Sequence, residues 1–228
     1  MKIKFILTLV CTLIIQFFIA QTEVKKPEEA FGLYFGAFIR NDEATQKVLN
    51  DYMRPTVEGQ DMYNFHNDLK DQMKENIVKS FVSMLSKATA QANKAEIEAL
   101  FDILIANFKN SKYKIKSVNI VDNEYLEGEK IAELVYDVTF KISEKSVQEE
   151  LKDASFINKP LKSLKPEELK KILTVTLQNL KNTTKEITIE QNFSLYTLNQ
   201  DNKIYYNNGN PSEIVTNLTD FYFDNVKF

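Results

Sequence analysis

The chain has 228 residues, with 29 Lys and Arg against 32 Asp and Glu and a net charge of −3. That balance gives no support to nucleic-acid binding, which usually shows a basic patch. Hydrophobic residues make up 43 % of the chain, aromatic residues 11 %, and there are only 5 Gly and 5 Pro. Such a composition packs rather than staying disordered, and its length suits one large domain or two small ones.

Met1-Lys2-Ile3-Lys4 is a short positive start, and Phe5 to Ile19 is apolar apart from Thr8, Thr12 and Gln16. Ala20 is small and polar sequence begins at Thr22, which is the layout of a secretory signal peptide. The stretch is shorter than the roughly 20 residues a membrane span needs. Cleavage is therefore expected after Ala20, although Phe18 stands where a small residue is usual. Removal of Lys2 and Lys4 makes the rest more acidic still. The expected localisation is exported, periplasmic or extracellular. No second long apolar stretch follows, so the mature chain reads as soluble or peripheral. Cys11, the only cysteine, lies after Val10 inside the apolar stretch, out of place for lipid modification. The exported chain then has no disulfide, no thiolate nucleophile and no cysteine ligand.

Residues 21–26 form a polar leader, and a single domain is expected over 27–228. Pro27-Glu28-Glu29 looks like a first helical turn, with acids where the macrodipole favours them. Phe31, Tyr34, Phe35, Phe38 and Ile39 follow at helical spacing, and Gly32 and Gly36, four apart, point to close helix packing. Arg40-Asn41-Asp42 breaks the pattern. A second helix is expected from Glu43 to Tyr52, with Ala44, Val48 and Leu49 inward. After Pro55 and Gly59, a long helix is expected with Leu69, Met73, Ile77, Phe81, Leu85 and Ala88 on one face. Asn93-Lys94-Ala95-Glu96 reads as a capping box before Ile97, Leu100, Phe101, Leu104, Ile105 and Phe108.

At Tyr113 the period changes to two. Tyr113, Ile115 and Ser117 alternate with lysines, and Ile120 continues the strand after a bulge. Asp122 to Gly128 is a turn. Ala132, Leu134, Tyr136, Val138, Phe140 and Ile142 then face one way, and Glu133, Val135, Asp137, Thr139 and Lys141 the other, as in a half-buried antiparallel strand. A short helix near 146–153 and another from Pro166 interrupt the sheet, the second carrying Leu169, Ile172, Leu173, Leu177 and Leu180. Ile187, Ile189, Phe193 and Leu195 resume the alternation. Asp201-Asn202 turns the chain into Lys203-Ile204-Tyr205-Tyr206, and Asn210-Pro211-Ser212-Glu213 caps a final helix through Leu218 and Phe221. Segregated helices and strands predict an α+β fold: N-terminal helices packed on a curved antiparallel sheet, with a helical insertion between strands.

Two stretches resemble the NTF2-like (cystatin-like α+β) superfamily, and within it exported bacterial proteins of unknown function. One is Glu29-Ala30-Phe31 through Phe38-Ile39-Arg40-Asn41-Asp42-Glu43. The other runs from Leu164-Lys165-Pro166-Glu167-Glu168-Leu169 through Thr183 to Ile189, then to the hairpin at Asp201-Asn202-Lys203-Ile204. Together they cover about a third of the mature chain. The chain departs from many relatives in lacking a lipoprotein cysteine and in having Tyr205 and Tyr206 where a tryptophan is frequent. The resemblance implies a cone with a cavity between sheet and helices, and no particular activity. In such a cavity Tyr136 and Gln191 would orient a ligand, with Phe38, Phe140 and Phe193 as apolar lining.

Chemistry is sparse. His66 is the only histidine, and Lys70 stands where a second metal ligand would help. The Asp122–Glu129 segment fails the calcium-loop template, with Leu126 at position 5 and Glu127 at position 6. Glu28/Glu29 and Glu167/Glu168 sit at helix starts, where dipole and capping explain them. No acid stands on the apolar face from Ala132 to Ile142, and no glycine-rich phosphate loop exists. No catalytic residue, metal or cofactor is assigned. The aromatic end, Phe221 to Phe228, is expected to pack on the sheet or to pair with another molecule. Asn182, Asn192 and Asn217 head glycosylation acceptor triplets. The leading reading is an exported non-enzymatic domain that binds a small apolar ligand or a protein partner. The alternatives are an isomerase- or dehydratase-type enzyme using a buried acid with Tyr136, and a structural subunit docking through its aromatic tail.

Overall fold

The computed structural model describes residues 24–226 apart from His66, with the backbone alone between residues 67 and 73. The segment read as a signal peptide, His66 and the Leu69 and Met73 side chains lie outside the described residues. Helix α1 spans Pro27–Tyr34 and widens into a π-type turn over Phe35–Ile39. Helix α2 spans Glu43–Met53, α3 Asn67–Ser83, α4 Lys87–Ala92 and α5 Lys94–Lys109. Strands β1, Lys112–Asp122, and β2, Lys130–Ile142, follow. Helices α6, Val147–Glu150, and α7, Pro166–Lys181, are inserted before β3, Lys185–Gln200, and β4, Lys203–Asn207. Helix α8, Ser212–Asn225, closes the described chain.

The four strands form one open antiparallel sheet in the order β1-β2-β3-β4. The fold is α+β. The apolar face of β2 is buried from Ala132 to Ile142, alternating with the exposed or half-buried residues between, as expected of a sheet covered on one side. Helices supply the cover. Phe31 of α1 meets Tyr136 and Phe193 at ring-centroid distances of 4.5 and 5.3 Å. Phe108 of α5 and Tyr222 of α8 meet Phe140 at 5.5 and 5.3 Å. The other face is polar. Lys116 there reaches Glu190 at 2.5 Å and Asp137 at 3.7 Å, and Thr139 bonds Thr188 across the strands at 2.9 Å.

The close approach expected at Gly36 is present, since a Cβ there would stand 2.6 Å from Thr45 Cγ2 of α2. Asp201 and Asn202 both have positive φ, 52° and 59°, the geometry of a two-residue hairpin.

Several local expectations are corrected. Val48 is 44 % exposed and Ala44 is exposed; α2 instead buries Gln46 and Asn50 beside Leu49. These polar groups are satisfied by backbone: Gln46 Nε2 donates to Ala37 O at 3.2 Å, and Asn50 exchanges bonds of 2.8 and 2.9 Å with the Tyr63 main chain. The long helix ends at Ser83, and Ser86 caps the separate helix α4 by accepting from Thr89 N at 3.2 Å. Ala88 is therefore exposed, and Thr89 and Ala90 turn inward. Asn93 caps nothing with its side chain; its Nδ2 donates to Thr89 O at 2.9 Å and Pro166 O at 3.1 Å. The bulge lies between Ile115 and Ser117. It turns Val118 inward, and Ile120 is left 53 % exposed where β1 outruns the covering layer. Asn210 accepts from the Ser212 hydroxyl at 2.6 Å rather than capping α8. The tail packs on the sheet, one of its two expected placements, and does so as helix through Tyr222.

Candidate binding cleft

Tyr136 and Gln191 are cross-strand partners of β2 and β3, and Phe193 stands opposite Leu134. They are neighbours, as their alternation implies. Tyr136 is only 1 % exposed, and the Phe31 ring lies over it. Burial pushes its hydroxyl pKa well above the ordinary phenol value. The other two aromatic positions belong to separate groups. Phe140 packs with Phe108, Phe221 and Tyr222. Phe38 packs with Tyr34, Tyr63 and Phe65. Side chains from α1, α5 and α8 thus fill the face where the resemblance implies a cavity.

The polar groups nearest this core are engaged with one another. Tyr34 and Tyr63 join their hydroxyls at 3.0 Å, and both reach Asn207 Oδ1, at 3.1 and 3.0 Å. Asn208 N donates to Tyr34 Oη at 3.1 Å. Burial raises the pKa of both phenols, so neither serves as an acid or base near neutral pH. Three carboxyls shift downward: Asp42 by its bonds to Thr45, Glu96 by its own backbone N–H and Lys170, and Glu168 by Lys159. A general acid needs the opposite shift. Glu133 and Asp137 of β2 are on the other side of the sheet from Tyr136. Among the described residues, no group of three His, Cys, Asp or Glu could hold a metal ion.

An apolar cleft of about 490 Å³ opens between α3, α4 and α5, where the sequence pattern runs α3 on through Leu85 and Ala88 as one helix. Val78 and Val82, four apart on α3, form one wall. Leu85 lies in the link, and Ala90 of α4 and Ile97 of α5 complete the lining. Lys87, Gln91, Lys94 and Glu98 form the rim. Lys94 pairs with Glu98 at 3.8 Å, and among the described residues no acid pairs with Lys87. The cleft's floor is anchored from below. Thr89 Oγ1 donates to Leu164 O at 2.8 Å, and Asn93 Nδ2 to Pro166 O, pinning α4 to the start of α7. The break that creates the cleft has one signal in the sequence, Ser86 three residues before Thr89 at an N-cap position.

A second, polar groove of about 480 Å³ lies between β3 and α8, and Gln191 and Phe193 line it with Asn192, Ser194, Tyr196, Asn208, Asn210, Glu213 and Asn217. Two of the sequence-predicted residues therefore border a groove, at the strand's edge rather than beneath the sheet. Among the described residues no helix is long and apolar enough to cross a membrane. No protein-family model, curated protein or solved structure gives a significant match to this chain.

Proposed function

We propose that the protein is an exported, non-catalytic binding domain whose α3–α4–α5 cleft takes the apolar chain of a small anionic amphiphile. The observation that carries this reading is a cleft walled by Val78, Val82, Leu85, Ala90 and Ile97 with Lys87 and Lys94 at its mouth. Its volume lies in the range of small-molecule sites, which are mostly apolar with a few polar groups that fix orientation. Each methylene removed from water contributes about 0.8 kcal/mol, so a chain lying in the cleft supplies affinity while the lysines select an anionic head. The NTF2-like resemblance belongs to the same proposal. Helices on one face of an antiparallel sheet, with α6 and α7 inserted between β2 and β3, support it.

The test is titration with a fluorescent single-chain fatty acid and with the alcohol of equal chain length. Ala90→Trp, which fills the cleft, is expected to weaken both by at least about tenfold, or about 1.4 kcal/mol. Lys87→Glu combined with Lys94→Glu is expected to weaken the acid and spare the alcohol. Unchanged fatty-acid binding in the Ala90→Trp variant would place the ligand elsewhere.

Export has its own measurement. The Lys2/Lys4 start and the short apolar stretch predict a chain beginning at Gln21 in mass spectra of the natively produced protein. An intact Met1 terminus in the membrane fraction would contradict it.

A further inference from the structure

Strand β4 pairs with β3 only from Tyr196 to Gln200. The chain then departs through Asn208 and Gly209 toward α8. Among the described residues, the remainder of β3 has β2 on one side and no strand on the other. Which backbone groups face that open side follows from the hairpin. A two-residue turn makes its flanking residues, Gln200 and Lys203, a hydrogen-bonded pair. Antiparallel ladders alternate, so Leu198 and Tyr196 also turn their N–H and C=O toward β4. The β2–β3 register runs from Ile131↔Tyr196 to Ile142↔Lys185 without a bulge. The same parity therefore holds down the strand, and Ser194, Asn192, Glu190, Thr188 and Glu186 direct their main-chain groups to the open side. One bond checks the deduction, since Asn208 Nδ2 donates to Ser194 O at 2.8 Å from that side. From Asn192 to Glu186 no described strand pairs with the edge, and the four outward-directed residues, Asn192, Glu190, Thr188 and Glu186, are exposed.

The sheet's other edge is guarded. Strand β1 carries a bulge between Ile115 and Ser117 and exposes Lys112, Lys114 and Lys116, devices that discourage strand addition. The β3 edge has no bulge, and at its Asn192 end it opens onto the groove of about 480 Å³ whose far wall is formed by Asn210 and the start of α8. Asn210, Glu213 and Asn217 present polar groups from that wall. Among the described residues, none engages the side-chain amides of Gln191, Asn192 and Asn217. An amide donates and accepts at once, as a peptide backbone does. A strand laid along this edge would meet the β3 ladder from Glu186 to Asn192 and, at the Asn192 end, the Asn217 amide of α8. Glu190 is already paired with Lys116, and the two other carboxylates about it, Glu186 and Glu213, favour positive side chains.

We propose that the open edge of β3 is a docking site for an extended, basic peptide segment of a partner protein, added as a fifth strand. Main-chain bonds supply the affinity in such strand addition, and alternate side chains the specificity. This site is separate from the amphiphile cleft, and each can fail without the other.

The experiment selects from a displayed library of random peptides of about eight residues, a common strand length, against the intact chain. Enriched members are then measured as synthetic peptides. Basic, extended sequences are expected, with affinity lost by at least about tenfold in Asn192→Pro. Proline at an edge position removes only an outward N–H, so this variant is expected to melt as the parent does. Should it fail to fold, the peptide itself carries the test. N-methylation at alternate positions of one register should abolish binding, and at the intervening positions leave it unchanged. No enriched peptide, indifference to both N-methyl registers, or a preference for acidic sequences would overturn the proposal.

Discussion

Leu134→Asp is expected to abolish or nearly abolish stable folding, while Glu133→Lys, one residue away, leaves the unfolding midpoint almost unmoved. Leu134 is 1 % exposed and sits in the middle of β2, paired in register with Val118 on one side and Phe193 on the other. Replacing it loses about 2–3 kcal/mol of apolar burial and leaves a carboxylate that must shed its water or take up a proton. The sum exceeds roughly 4 kcal/mol, a large part of the stability of an ordinary domain. Glu133 is exposed, and its cross-strand partners are the uncharged Asn119 and Ser194. Reversing its charge breaks no ion pair and costs within about 0.5 kcal/mol. Acid should rescue part of the Leu134→Asp defect. The buried carboxyl has a folded pKa above its unfolded value of about 3.9, so the folded state holds its proton longer. Its penalty is absent below that value and grows as pH rises toward the folded pKa. Chemical denaturation at several pH values measures both effects. Equal midpoints for the two variants at neutral pH would show that the β2 register is wrong.

That register was legible because period two is a physical constraint. Six apolar residues from Ala132 to Ile142 fit only one face of a half-buried strand, and the structure buries all six. The hairpin was legible for a similar reason, since Asp and Asn tolerate the positive φ found at residues 201 and 202. The failures share a cause as well. At Gln46 and Asn50 a polar side chain takes an inward position and is satisfied by main-chain groups that only tertiary structure brings near; Asn93 also turns inward, its Nδ2 reaching Pro166 O while its Oδ1 has no partner among the described residues. Apolar periodicity carries no record of such partners. The helix break at Ser86 was hidden by Leu85 and Ala88, which continue the helical spacing of α3.

The site was less legible than the fold. Tyr136, Gln191 and Phe193 do assemble, because cross-strand register follows from the pattern. Phe38 and Phe140 stand apart, because their surroundings depend on where α1, α5 and α8 cross the sheet. The apolar cleft depends on a gap between three helices, and the open β3 edge on where β4 ends. Both are properties of packing and chain path rather than of any residue pattern.

Phe31→Ala is expected to be the most damaging truncation among the aromatic residues, and it tests whether this ring is what fills the face of β2 at Tyr136. The Phe31 ring is 0 % exposed and holds four others about it: Tyr136 at 4.5 Å, Tyr113 at 5.1 Å, Phe193 at 5.3 Å and Phe35 at 6.1 Å. Removing it loses the burial of the ring and leaves a cavity that this network cannot collapse to fill. The expected cost is about 3–5 kcal/mol, and each kcal/mol lowers the Tm of a domain this size by about 2–4 °C. The cavity left behind would be apolar and ring-sized, the kind that stays dry and admits benzene. Benzene should therefore raise the Tm of Phe31→Ala and leave the parent unchanged, because in the parent Phe31 already occupies the place against Tyr136. Calorimetric melts of both proteins with and without benzene make the comparison. Equal stabilisation of the parent would mean that an open cavity exists beneath the sheet, and would return Tyr136 and Gln191 to the centre of ligand binding. A loss below about 1 kcal/mol in the variant would mean that α1 does not cover β2 through this ring, since full burial of a Phe side chain alone contributes about 1.5–3 kcal/mol.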